Sequence, residues 1–251
     1  MFSQHNKNNI FYYGNIFFLI GTFFLSSALP ISAIFFLIAI IISFKKYKFE
    51  LIHDKWNYPL FISIGLIIFS TASNSILNIP NEIHDINKST LWISTLNWIP
   101  MFFVYWGSQI YLKNNKQREL FIKVLIAGSI PIIISCILQY WFKVFGPFET
   151  LNGLIVWFQK PLIRNDGISG LFSNQNYTGF WFAMLWPFSI FLFRRNYTNK
   201  FKKILLAIIN FFVLYFGILT NSRNSVLGLI LIIPILFGLK TFFTSIFILI
   251  I

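Results

Sequence analysis

Two stretches of this chain carry residue types that could do chemistry. The first runs from Arg164 to Asn176, Arg-Asn-Asp-Gly-Ile-Ser-Gly-Leu-Phe-Ser-Asn-Gln-Asn, and leads into an almost continuous apolar run that reaches Pro187. Glycines at 167, 170 and 179 let a backbone approach a ligand closely, while Asn174, Gln175 and Asn176 bring amide donors beside one guanidinium. The second is Thr220-Asn-Ser-Arg-Asn-Ser, in which Arg223 follows one apolar run and precedes another. An Arg at the centre of a membrane helix costs about 2.5–3.5 kcal/mol on insertion scales, less at an interface, so its presence there by default marks a function. The chemistry such residues suit is the holding of an anion at a membrane surface. Arginine grips phosphate oxygens in a bidentate fork, and the start of the helix that follows the first stretch would point backbone amides at the same place.

Each residue also has a plainer reading. Arg223 could snorkel to lipid headgroups. Arg164 could form a solvated ion pair with Asp166, worth little. Asn174 and Asn176 could simply cap the next helix, which is compatible with a binding role. Several chemistries are excluded outright. The chain has no Gly-rich nucleotide loop, no paired-carboxylate motif of metal-dependent transferases and no His/Cys cluster, so neither a metal nor a cofactor is expected. Its one cysteine, Cys136, lies within an apolar run and offers no disulfide framework.

These stretches must be positioned by membrane helices. The 251 residues are 57% hydrophobic, 20% aromatic and only 11% charged, far from the average of soluble domains. The fold class expected is all-α, a polytopic transmembrane helical bundle forming one domain over 1–251. Eight spans are expected near 11–28, 31–44, 58–77, 91–112, 120–142, 177–193, 203–220 and 225–239, plus a ninth that begins at Thr241 and is truncated at Ile251. The first run could alternatively be a secretory signal with Ser26-Ser27-Ala28 as its cleavage site, but Pro30 leads straight into a second apolar run, as in a helical hairpin.

The formal net charge of +13 does not form one patch, so it argues topology and not nucleic acid. All lysines and arginines except Lys88, Lys143, Lys160, Arg164 and Arg223 fall on one side of an eight-span layout. The amino terminus is therefore expected in the cytoplasm, and the segment 143–176, with its Gly146-Pro147 and Lys160-Pro161 breaks, is expected as a long external loop. Both motif arginines then belong to the outer face.

The first stretch, with Arg164, Gly170, Phe172, Asn174 and Asn176, and the second, with Ser222 and Arg223, together resemble the O-antigen ligase and O-antigen polymerase superfamily. The resemblance is concentrated in 160–235. It implies a multi-pass protein of the bacterial inner membrane in polysaccharide biosynthesis, a metal-independent glycosyltransferase that moves a glycan from an undecaprenyl-pyrophosphate donor to a hydroxyl acceptor. It further implies that Arg164 and Arg223 bind the pyrophosphate, supported by Gly170, Asn174, Asn176 and Ser222. The family's catalytic histidine sits in a large later outer loop that has no counterpart here, so the chain by itself is expected to be inactive as a transferase. Asp166 and His84 stand as substitute bases. A transporter or anion carrier of bicarbonate type and a non-enzymatic membrane remnant are the alternative readings.

Overall fold

The computed structural model describes residues 2–76, 88–95, 98–163, 166–195 and 199–240. Among them the chain is mostly helical, in the order α1 (Phe2–Phe24), α2 (Leu29–His53), α3 (Tyr58–Ile76), α4 (Lys88–Thr95), α5 (Ile99–Ser108), α6 (Asn115–Gly128), α7 (Ile130–Tyr140), α8 (Gln175–Phe193), α9 (Lys200–Leu219) and α10 (Arg223–Phe237). Three helical stretches are long and apolar enough to cross a bilayer, at Lys55–Ile76, Asn115–Tyr140 and Lys200–Leu219. Shorter apolar helices occupy Ile10–Phe24, Leu29–Lys45 and Arg223–Phe237.

This departs from eight uniform spans in identifiable places. The stretch expected at 91–112 is divided into α4, α5 and a 3-10 turn at Gln109–Leu112. Pro100 stands in the first turn of α5, where its missing N–H costs nothing, but it cannot continue a helix from before. The stretch expected at 120–142, by contrast, falls within the one long apolar stretch Asn115–Tyr140, in which Ser129 separates α6 from α7 and Pro131 stands in the first turn of α7. The ninth stretch, from Thr241, lies outside the described residues.

A second departure is a small element of strand. Phe148–Thr150 (β1) and Ile155–Trp157 (β2) pair antiparallel, with Phe148 opposite Trp157 and Thr150 opposite Ile155. Leu151, Asn152 and Gly153 in the turn all have positive φ, at 53°, 56° and 81°, which is the conformation an Asn-Gly pair tolerates best.

The chain packs as two compact units, one of Met1–Gly21 with Ala33–Arg118, the other of Thr22–Ser32 with Glu119–Ile251. In the first, Tyr111 is 1% exposed and anchors the packing. Its ring stacks on Phe11 and Phe18 at centroid distances of 5.5 and 5.3 Å, and its Oη donates to Ala39 O at 2.7 Å. Gly14 makes room for it, since a Cβ there would lie 2.4 Å from that Oη. Asn57, also buried, exchanges amide hydrogen bonds with Gln109 at 2.6 and 3.3 Å.

The second unit holds the larger core, with Ile132, Cys136, Phe182, Leu185, Val213 and Phe216 at its centre, drawn from α7, α8 and α9. At one end of it Glu119 accepts from Lys123 at 2.7 Å and pairs with Arg195, while Arg194 donates to Leu236 O at 2.8 Å. Within this unit the α1–α2 turn is held by Ser26, whose Oγ donates to Gly128 O at 2.7 Å, and by Trp157 Nε1, which donates to Ser27 O at 2.7 Å.

Candidate functional site

Both chemistry-bearing stretches lie in the second unit, and the backbone of one rests on the other. Gly167 packs so closely on the last turn of α9 that a Cβ would stand 1.8 Å from Thr220 O. No side chain fits there, which is the physical reason for glycine at this position. The next residue continues the contact, with Ile168 N donating to Leu219 O at 3.1 Å. A segment beginning two residues after Arg164 is thus laid against the turn that carries Ser222 and Arg223.

That segment is irregular yet buried from Gly167 to Leu171. Irregular backbone inside a bilayer-spanning protein persists only where protein groups satisfy its N–H and C=O groups. Gln139, fully buried near the end of α7, does most of this. Its Oε1 accepts from Ser169 N at 3.2 Å and Gly170 N at 2.9 Å, and its Nε2 donates to Lys160 O at 2.7 Å and Ser169 Oγ at 3.1 Å. Two backbone donors on one side of the amide fix which atom is oxygen. Gln159, 2% exposed, holds the preceding stretch by donating to Val144 O at 2.7 Å and accepting from Ser135 Oγ. Thr178 Oγ1 completes the enclosure by donating to Ser169 O.

Gly170 takes the left-handed conformation at φ 52° with Cys136 Sγ 3.0 Å from where a Cβ would be, so both conformation and space demand glycine. Asn174 is the cap of α8: its Oδ1 accepts from Asn176 N at 2.8 Å. Gln175 ties the same turn to the segment, its Oε1 accepting from Gly167 N at 2.8 Å. Ser222 caps α10 by accepting from Ser225 N, and Ser225 Oγ donates to Gly179 O and Gly217 O at 3.0 Å each. Gly179 lets α8 and α10 close on one another, since its Cβ would meet Ser225 Cβ at 2.7 Å.

Two cavities open here. One, of about 280 Å³, is polar and has Lys160, Asp166, Ser169, Asn174, Gln175 and Asn176 among its wall residues. The other is a broad, shallow surface groove in which Ser222 and Arg223 stand at the head of apolar Ile218, Val226, Leu227 and Ile230. They share no wall residue, so Asn174, Asn176 and Asp166 belong to one and Arg223 to the other. Asp166 and Arg223 are both exposed. Arg164 and His84 lie outside the described residues, as therefore does the convergence of the two arginines. Among the described residues no group of His, Cys, Asp and Glu could hold a metal ion.

Among the contributors not singled out by sequence are Gln139, Gln159, Lys160, Ser169, Thr178 and Ser225. For Gln139 a signal existed, an amide side chain inside the apolar run Ile-Ile-Ile-Ser-Cys-Ile-Leu-Gln-Tyr, since an amide at membrane depth needs partners. Comparison with protein-family models, with curated proteins and with solved structures finds no match to this chain.

Proposed function

We propose that this protein is an O-antigen ligase- or polymerase-like component of the bacterial inner membrane that binds an undecaprenyl-pyrophosphate-linked glycan and presents it for transfer to a hydroxyl acceptor. In this reading the chain crosses the bilayer eight times with a further span from Thr241, the amino terminus is cytoplasmic, and the site faces outward. The observation that carries the reading is the seating of Gly167 on Thr220, with a charged-headed apolar groove on one side and a polar cavity on the other. An amphiphilic carrier needs such a division. Its isoprenoid chain takes the groove lined by Ile218, Val226, Leu227 and Ile230, its phosphates meet Arg223, and the acceptor takes the polar cavity.

The reaction this would serve is a displacement at the anomeric carbon. An acceptor hydroxyl oxygen bonds to that carbon as the bond to the pyrophosphate oxygen breaks, the leaving oxygen keeps the electron pair, and the hydroxyl proton passes to a base. Arginine and amide donors stabilise the charge that grows on the pyrophosphate. Asp166, in the wall of the polar cavity, is the carboxylate the described site offers for the proton. The test is native mass spectrometry of the purified protein in nanodiscs with undecaprenyl pyrophosphate, against undecaprenol of the same chain length. Selective retention of the pyrophosphate, weakened about tenfold or more in Arg223→Ala, is expected for the loss of a charge-assisted bond. Equal retention of the two lipids would refute the reading.

A further inference from the structure

The wall of the polar cavity carries several hydrogen-bond donors, from Lys160, Ser169, Asn174 and Gln175, beside Ser173 and Asn176, which can donate or accept. Ser169 is 3% exposed, and its Oγ already accepts from two donors, Gln139 Nε2 at 3.1 Å and Lys160 N at 3.2 Å. Its own O–H hydrogen is therefore left over, buried, with no acceptor among the described residues and with the cavity beside it. The neighbouring amides, of exposed Asn174 and half-buried Gln175, add donors at its rim. Asn174 and Gln175 each have their oxygen already accepting from one backbone N–H group, of Asn176 and Gly167, while no partner is seen for either NH2 among the described residues. Lys160 adds an ammonium; its backbone is pinned on both sides by Ser169 Oγ and Gln139 Nε2, and no ion pair involves it among the described residues. Against these stands one anionic acceptor, Asp166.

From this we infer that the cavity binds an acidic sugar, with an oxyanion on the Lys160, Ser169, Asn174 and Gln175 donors and a hydroxyl donated to Asp166. A neutral sugar can accept from these donors but leaves the Lys160 ammonium without a counter-charge, and a bare phosphate sets its own negative charge close to Asp166 with no sugar hydroxyl between them. At about 280 Å³ the cavity has room for one sugar unit. The inference rests on the lipid-linked-glycan reading, in which this unit is the acceptor whose hydroxyl lies at Asp166.

The test uses the full chain in nanodiscs and saturation-transfer NMR with three probes: methyl glucuronoside, glucose 6-phosphate and methyl glucoside. The glucuronoside should bind at least about tenfold more tightly than the glucoside, and Lys160→Met should remove that preference, since a bond to a charged group contributes roughly this much. Lys160 is exposed, so this variant folds; Ser169→Ala, which deletes the leftover donor, should act in the same direction. Preference for glucose 6-phosphate over the glucuronoside would support the oxyanion site with phosphate as its source. Equal binding of all three, or a preference unchanged in both variants, would overturn the inference. Undecaprenyl pyrophosphate retention separates the two levels: retention with no acidic preference overturns only the sugar assignment, whereas acidic preference without retention leaves the cavity assigned and overturns the carrier reading.

Discussion

Replacing Gln139 by methionine is the sharpest single perturbation of this site. Methionine keeps the length and most of the volume, so the effect is not that of a cavity. What is removed is a set of partners. Ser169 N and Gly170 N lose their acceptor, and Lys160 O loses its donor. Two of these three groups belong to buried residues. A buried polar group left without a partner costs about 1–3 kcal/mol, so the two N–H groups alone imply roughly 2–6 kcal/mol, with the carbonyl adding less because water reaches it more easily. At about 2–4 °C per kcal/mol for a chain of this size, the melting temperature should fall by at least roughly 4 °C. Intrinsic tryptophan fluorescence during heating in detergent is a suitable assay, because Trp181 Nε1 donates to Ser129 Oγ at 3.0 Å in the same unit. Ile134→Met on the exposed face of the same helix is the control and should melt as the parent does. If Gln139→Met melts with the control, the segment from Gly167 to Leu171 is not held by this amide and the account of the site fails.

Three further outcomes are expected. Gly167→Ala should disrupt the contact between the two stretches, because a Cβ 1.8 Å from Thr220 O meets backbone that cannot yield; a loss of about 1–3 kcal/mol or more in thermal or denaturant unfolding checks this, and an unchanged midpoint contradicts it. Arg223→Lys should weaken undecaprenyl pyrophosphate retention several-fold despite the kept charge, because the planar fork is lost, whereas retention equal to the parent would leave only a point charge in play. Cys136 is fully buried and should not react with an aqueous maleimide, so single cysteines report orientation: Thr150→Cys should label from outside and Lys200→Cys only after the membrane is opened, and external labelling at 200 would reverse the topology.

The helical character and most helix positions were legible in the chain because both depend on local chemistry. Apolar runs, Pro30 in the first turn of α2, and Asn174 and Ser222 as caps of α8 and α10 act over a few residues. The strand pair was legible in principle, since Asn152-Gly153 separates two short runs rich in strand-forming residues, but the hydrophobic pattern around it speaks of membrane and hides so short an element. The Gly and Asn residues at 170, 174 and 179 stood out by type: the glycines meet a left-handed conformation or a close approach, and Asn174 supplies the side-chain acceptor that a helix cap needs.

The tertiary structure decided which groups are still free to bind. Which atoms Asn174 and Gln175 have to spare depends on Asn176 N and Gly167 N already donating to their oxygens, and whether Ser169 has a hydrogen to offer depends on Gln139 and Lys160 having filled its lone pairs. Sequence names the atoms a residue owns, and only the fold says which of them are already in use. The separation of Arg223 from the polar cavity has the same origin, because the close seating of Gly167 on Thr220 is a contact across 53 residues of chain that no local pattern encodes.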